Sequence, residues 1–171
     1  NSKIQIVTDK ESPTKILERH NPIRCDAEDE AESIYKNFDP DVLLVATSSL
    51  VKGPYVNNKF TELAHGDGKK IICFQDFWAN HRWPMNYKMM EYWDVILTLD
   101  ELGKKLILED GYEGRVIITG SPAFDKLAKI DVEKEKSRLR KKFKIPEDYF
   151  VILHCGTGTP QSWKADEITF K

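Results

Sequence analysis

Apolar residues along the chain fall into short runs, and between the runs they recur every three or four positions. The runs are Lys3–Thr8 (KIQIVT), Pro22–Cys25, Asp41–Ala46 (DVLLVA), Lys70–Phe74 (KIICF), Asp94–Leu99 (DVILTL), Arg115–Thr119 (RVIIT) and Tyr149–Cys155 (YFVILHC). Short runs rich in Val and Ile predict strands. Asp41–Ala46 is apolar at consecutive positions, which predicts cover by helices on both faces and hence a parallel sheet. Ser12-Pro13 predicts a helix start, with Ser as cap and Pro in the first turn, running to about His20. Asp26 predicts the cap of a helix over Ala27–Asn37, whose Ala31, Ile34, Tyr35 and Phe38 share one face. Further helices are predicted over Asn57–His65, ended by Gly66 and Gly68, over Met85–Tyr92, and from an Asp100 cap to Gly111. Asp131–Lys144 predicts a strongly charged, solvated linker helix that Pro146 stops.

This alternation predicts the α/β class: a Rossmann-like, doubly wound, mainly parallel sheet with right-handed connections. The expected division is a lobe over 1–130, a linker helix over 131–148 and the start of a second lobe over 149–171. No internal repeat and no low-complexity stretch interrupts the order.

Composition narrows the partners. Hydrophobic residues are 40 % of 171, enough for a core, and charged residues of both signs are 32 %. A net charge of −2 gives no basic footprint, so nucleic acid is not an expected partner. No apolar run approaches the roughly 20 residues of a membrane helix. There is no signal peptide and no initiator Met, and the chain reads as a fragment. Cys25, Cys73 and Cys155 lie in or beside strand-like runs without a CxxC pair. They are expected as buried reduced thiols, which implies a reducing, cytoplasmic setting.

Ligands of such sheets bind beyond the carboxyl ends of the strands. Thr47, Ser48 and Ser49 follow a strand and offer hydroxyls to a phosphate or sugar, or equally a cap or turn. Gln75–Pro84 (QDFWANHRWP) is the most unusual stretch. In it Trp78 offers a ring face to a sugar or base, beside Asp76 and Asn80. His81 is a candidate general base on an acceptor hydroxyl, a part whose loss would cost turnover far more than stability. Arg82 is a candidate bidentate anion ligand. The structural alternative packs Trp78 and Trp83 in the core and pairs Asp76 with Arg82. Gly120-Ser121 joins a strand to a helix that Ser121 can cap and Pro122 starts. Gly156, Thr157, Gly158 and Thr159 would let backbone amides approach a diphosphate, without the GxGxxG spacing or a P-loop Lys. The four His are scattered, no carboxylate cluster has ligand spacing, and no GxSxG elbow is present. No metal and no cofactor is expected.

RVIITGSPAFDKL at 115–127 resembles the strand–G(S/N)P-x-(F/Y)-D–helix segment of glycosyltransferases of the two-lobed GT-B fold and their relatives. These include lipid A disaccharide synthase, UDP-GlcNAc 2-epimerase and CDP-glycerol glycerophosphotransferase. FDPDVLLVATSS at 38–49 is similar to the strand and hydroxyl turn of the same N-terminal lobe. KKIICFQDFWANHRWP at 69–84 is similar to a loop of the polysaccharide-biosynthesis members, with His81-Arg82-Trp83 where Tyr, then Arg-Phe, is expected. DVILTLDELGKKLILEDGY at 94–112 resembles the strand and helix that follow it. A charged helix to Lys144 and then YFVILHCGTGT at 149–159 follow in the order of that superfamily, and the resemblance spans most of 39–159.

The resemblance implies an acceptor-side lobe of an enzyme that transfers a sugar in polysaccharide or cell-surface glycan synthesis. His81 and Asp76 would take catalytic parts. Thr47, Ser48, Ser49, Trp78, Asn80, Arg82, Gly120 and Ser121 would bind substrate. A nucleotide-sugar donor would sit mainly in the second lobe, with Gly156–Thr159 at its phosphates, and a glycan or lipid-linked acceptor would complete the pair. A peripheral membrane contact or a homo-oligomer is compatible with this. The fragment alone is expected to be inactive. A nucleotide-sugar epimerase or hydrolase, or a non-catalytic Rossmann-like ligand-binding domain, fits the same fold.

Overall fold

Among the described residues, six strands form within the apolar runs, and they pair in parallel. The structure, a computed structural model, describes residues 3–8, 18–47 and 56–152. Strands β1 (Val7–Thr8) and β2 (Ile23–Arg24) form a two-stranded parallel sheet, with Val7 opposite Ile23. Four longer strands, β3 (Val42–Ala46), β4 (Lys70–Phe74), β5 (Val95–Thr98) and β6 (Arg115–Ile118), form a parallel sheet in that order. The helices between them are α1 (Glu28–Phe38), α2 (Val56–Gly66), α3 (Pro84–Met89), α4 (Glu101–Glu109) and α5 (Pro122–Asp125). The chain is therefore α/β with a mainly parallel sheet, of the Rossmann-like doubly wound kind. It divides into two compact units, Asn1–Ala128 and Lys129–Lys171.

The core of the first unit lies between the sheet and its helices. Ile71 and Cys73 of β4, Ile96 of β5 and Ile107 of α4 are fully buried. Ala31 and Tyr35 of α1 meet Phe60 and Ala64 of α2, with the Tyr35 and Phe60 rings 6.4 Å apart. Burial pushes the Cys73 thiol well up, so it stays protonated and inert, and Cys25 is buried and free as well.

Four expectations are corrected by the packing. Asp26 does not cap α1. The N-cap is Ala27, without a side-chain bond, so Asp26 lies one residue too early. Its carboxylate pairs with Arg24 instead, and its N–H donates to Glu30 in the first turn. The loop tryptophans are not core: Trp78 is half-buried and Trp83 is 43 % exposed, while Trp93 fills the core at 5 %. Asp76 does not pair with Arg82, as described below. On β3 the two faces differ: Val45 is buried, whereas Val42 and Leu44 are 51 % and 65 % exposed. β3 ends the four-stranded sheet, and no described helix covers its second face as its sequence predicts.

In the second unit, α6 (Val132–Phe143) starts on Asp131, whose carboxylate accepts from the Lys134 N–H. None of its residues is buried. Glu133–Lys136 and Glu135–Arg138 pair along its surface, the solvated character its sequence predicts. Arg140 ties the helix to the turn that follows, donating to the Pro146 and Tyr149 carbonyls. Tyr149–Ile152 make no strand. The expected helix start at Ser12-Pro13, Ser48, Ser49, Cys155 and the Gly156, Thr157, Gly158, Thr159 loop lie outside the described residues.

Candidate functional site

Three backbone bonds extend the parallel ladder past the strand ends and line up one edge. Thr47 N–H donates to Phe74 O, Gln75 N–H to Leu97 O, and Thr119 N–H to Thr98 O. Because side chains alternate across a sheet, Gln75 continues the buried face of Ile71 and Cys73, while Asp76 turns out to the edge. Asp76 is exposed and its Oδ1 takes two bonds, from Thr47 Oγ1 at 2.9 Å and from Asn80 Nδ2 at 2.7 Å. Thr47 and Asn80 are themselves buried. Asp76 Oδ2 takes no hydrogen bond from the described residues, and the residue as a whole is exposed. Ala79 sets the turn with φ 59, a left-handed conformation unusual for a residue with a Cβ. Asn86 Nδ2 then donates to Asn80 O at 2.7 Å and braces the turn from α3.

The neighbouring strand end carries Asp100. Its carboxylate caps α4 by accepting from the Gly103 N–H at 2.8 Å, and it accepts from Trp78 Nε1 at 3.0 Å. The Gly103 amide, then the Trp78 indole, hold Asp100 below the usual carboxylate range. Trp78 is thereby fixed across the edge, with Phe77, 57 % exposed, meeting it edge to face. Further along, Gly120 turns the chain at φ +74 and Ser121 stands at the N-cap of α5. The Ser121 hydroxyl makes no cap bond, contrary to its expected role. Thr47, Asp76 and Asn80 form one hydrogen-bonded group here, Trp78 is tied instead to Asp100, and Gly120 and Ser121 follow the end of β6.

His81 and Arg82 leave this edge. His81 is fully buried, and both ring nitrogens are engaged. Thr98 Oγ1 donates to Gln75 Oε1 at 2.9 Å, which leaves Gln75 Nε2 as the donor to His81 Nδ1 at 2.7 Å. His81 Nε2–H then donates to Asp110 Oδ2 at 2.7 Å. Arg82 grips the same carboxylate bidentately, Nε to Oδ2 at 2.5 Å and Nη2 to Oδ1 at 3.1 Å. Neither ring nitrogen of His81 is open to a substrate hydroxyl. The ring is a rivet between the sheet and α4.

Asp110 is the residue that sequence reasoning missed. It stands at the C-cap of α4, where a negative charge opposes the helix dipole. That misplacement was a readable sign of a cationic partner elsewhere. The Arg82 guanidinium, then the His81 ring, hold the Asp110 carboxyl below its usual range, and Asp110 in turn raises Arg82. Lys70 and the Ile71 amide do the same for Asp94. A carboxyl lowered by folding stabilises the fold above its unfolded pKa, and this is lost as pH falls through the lowered folded value. The urea midpoint should therefore hold near neutrality and fall below about pH 4, where unfolded carboxylates begin to protonate. Asp110→Asn should flatten that acid limb, and an acid limb of unchanged depth would remove Asp110 from it.

Among the described residues no group of three or more His, Cys, Asp or Glu is placed to hold a metal ion, and no helix is long and apolar enough to cross a membrane. No protein-family model matches the chain, and no curated protein matches it.

Proposed function

We propose that this chain is the acceptor-side lobe of an enzyme that transfers a sugar from a nucleotide-sugar donor. The observation that carries the reading is Asp76: an exposed carboxylate held on one oxygen by buried Thr47 and Asn80 at the carboxyl edge of a parallel sheet. That edge is where ligands of this fold class bind. A fixed carboxylate oxygen suits an acceptor hydroxyl, which it orients by accepting its proton in a hydrogen bond. Trp78, fixed by Asp100, offers an adjoining ring face. The reading keeps Asp76, Thr47, Asn80 and Trp78 from the sequence proposal and moves His81 from a proton-transfer part to a supporting one.

The test is transfer by the protein that carries this chain, assayed with UDP- and CDP-sugars and glycan acceptors. Asp76→Asn keeps the shape and removes the charge. It should lower kcat/KM for transfer by about tenfold, the worth of one hydrogen bond to a charged group, with an unchanged melting curve. Full activity in Asp76→Asn, or no transfer from any donor by the parent protein, would overturn the reading.

A further inference from the structure

The file of polar groups through His81 ends at the surface in a wide, open hollow of about 520 Å³. Arg82, Tyr87, Glu109, Asp110 and Gly111 line it. Its volume lies within the roughly 300–1,000 Å³ of small-molecule sites. Its walls come from the turn before α3, from α3 itself and from the C-terminal end of α4.

Three features of the lining select a ligand class. The first is fixed polarity. Asp110 is locked by Arg82 on one side and by the buried His81–Gln75–Thr98 file on the other, so neither member of the Arg82–Asp110 pair must be ordered when a ligand arrives. The second is charge. Arg82 offsets Asp110, and Glu109 is shared with Lys105 at 3.7 Å, so the rim is close to neutral and does not select an anion or a cation. The third is exposed aromatic surface. Tyr87 is 54 % exposed in the lining, and Trp83, one helical turn before it, is 43 % exposed. Gly111, at φ +87, follows α4 in a left-handed turn and adds no side chain to the lining. The Tyr87 ring, carboxylate acceptors and a guanidinium donor on a neutral rim are complementary to a neutral polyhydroxylated ring.

We infer that this cavity is a second, separate saccharide-binding site. It takes one or two neutral sugar units against Tyr87, with Glu109 and Asp110 accepting from ring hydroxyls and Arg82 donating. The 3₁₀ turn Asn80–Arg82 joins it to the strand edge, because Asn80 holds Asp76 while Arg82 faces the cavity.

The experiment is an NMR titration with glucose, N-acetylglucosamine and maltose, with inorganic phosphate as a counter-probe. At least one saccharide should bind in the millimolar range and shift the Trp83 indole and Gly111 amide signals, while phosphate leaves both unmoved. Tyr87→Ala and Glu109→Gln alter exposed side chains, and each should weaken binding by about tenfold. Asp76→Asn should bind the saccharide as the parent does. Loss of transfer in Asp76→Asn with retained cavity binding leaves both readings standing. Retained transfer in Asp76→Asn removes the edge reading alone. No saccharide shift, a phosphate shift at the same residues, or an unchanged Kd in Tyr87→Ala would overturn the cavity site alone.

Discussion

His81→Ala should destabilise the first unit by about 3 kcal/mol, a large part of the roughly 5–15 kcal/mol that holds a domain together. The ring is fully buried, so its removal leaves a cavity that the surrounding sheet and helix fill only in part. The polar terms add to this. Gln75 Nε2 loses its acceptor inside the protein, and Asp110 loses a donor. The exposed partner in the same group sets the contrast. Arg82 is half-exposed, and Arg82→Ala should cost under about 1 kcal/mol, as for other ion pairs in contact with water. Urea unfolding reads both: His81→Ala should lower the midpoint with an unchanged slope. A loss within about 0.5 kcal/mol for His81→Ala would mean that the buried file does not hold the turn. The loop motif favours a catalytic base at this position, with turnover lost before stability. Burial reverses that order. Activity in His81→Ala should fall with the folded fraction, and recover at temperatures where the variant remains folded.

The second large effect sits at the other end of the same file. Gly103 lies in the first turn of α4, where alanine normally improves a helix by about 1 kcal/mol. Here a Cβ would land on Thr98 Oγ1, well inside contact distance. Thr98 cannot swing away freely. It is β-branched and fully buried, and its hydroxyl is committed to Gln75 Oε1. Overpacking and the displaced hydrogen bond together cost about 3 kcal/mol, which outweighs the helical gain. Gly103→Ala should therefore be net destabilising by about 2 kcal/mol in denaturant unfolding. In a Thr98→Ala background the clash is gone and the same change should turn neutral or stabilising. A raised Tm for Gly103→Ala alone would show that α4 can shift outward at little cost.

The edge site was partly readable because its signals are local. An apolar run followed by Thr47 or by Gln75-Asp76 marks a strand end, and strand ends of a parallel sheet converge. Asp100 as a helix cap needed only its position before an amphipathic stretch, and its carboxylate does accept from the Gly103 N–H. Asp26 shows the limit of the same reasoning, since a shift of one residue made it a surface partner of Arg24 instead of a cap.

The parts that were not readable all rest on pairs far apart in the chain. Arg82 looked like a partner for Asp76 six residues away, yet it pairs with Asp110, 28 residues on. Thr47 reaches Asp76 across 29 residues and His81 reaches Asp110 across 29. No local rule fixes which charged or polar side chain meets which, because the meeting depends on strand order and on where each helix ends.

By itself, then, the sequence determined the α/β class, the parallel strands and the loops at their carboxyl ends, since hydrophobic period and turn chemistry act over a few residues. Only the tertiary structure decided that exposed Asp76 is braced on one oxygen by Thr47 and Asn80, that His81 is buried between Gln75 and Asp110, and that Arg82 lines a surface hollow. Those outcomes follow from alternation across the sheet, which sends Gln75 inward and Asp76 outward, and from the end of α4, which brings Asp110 to both His81 and Arg82.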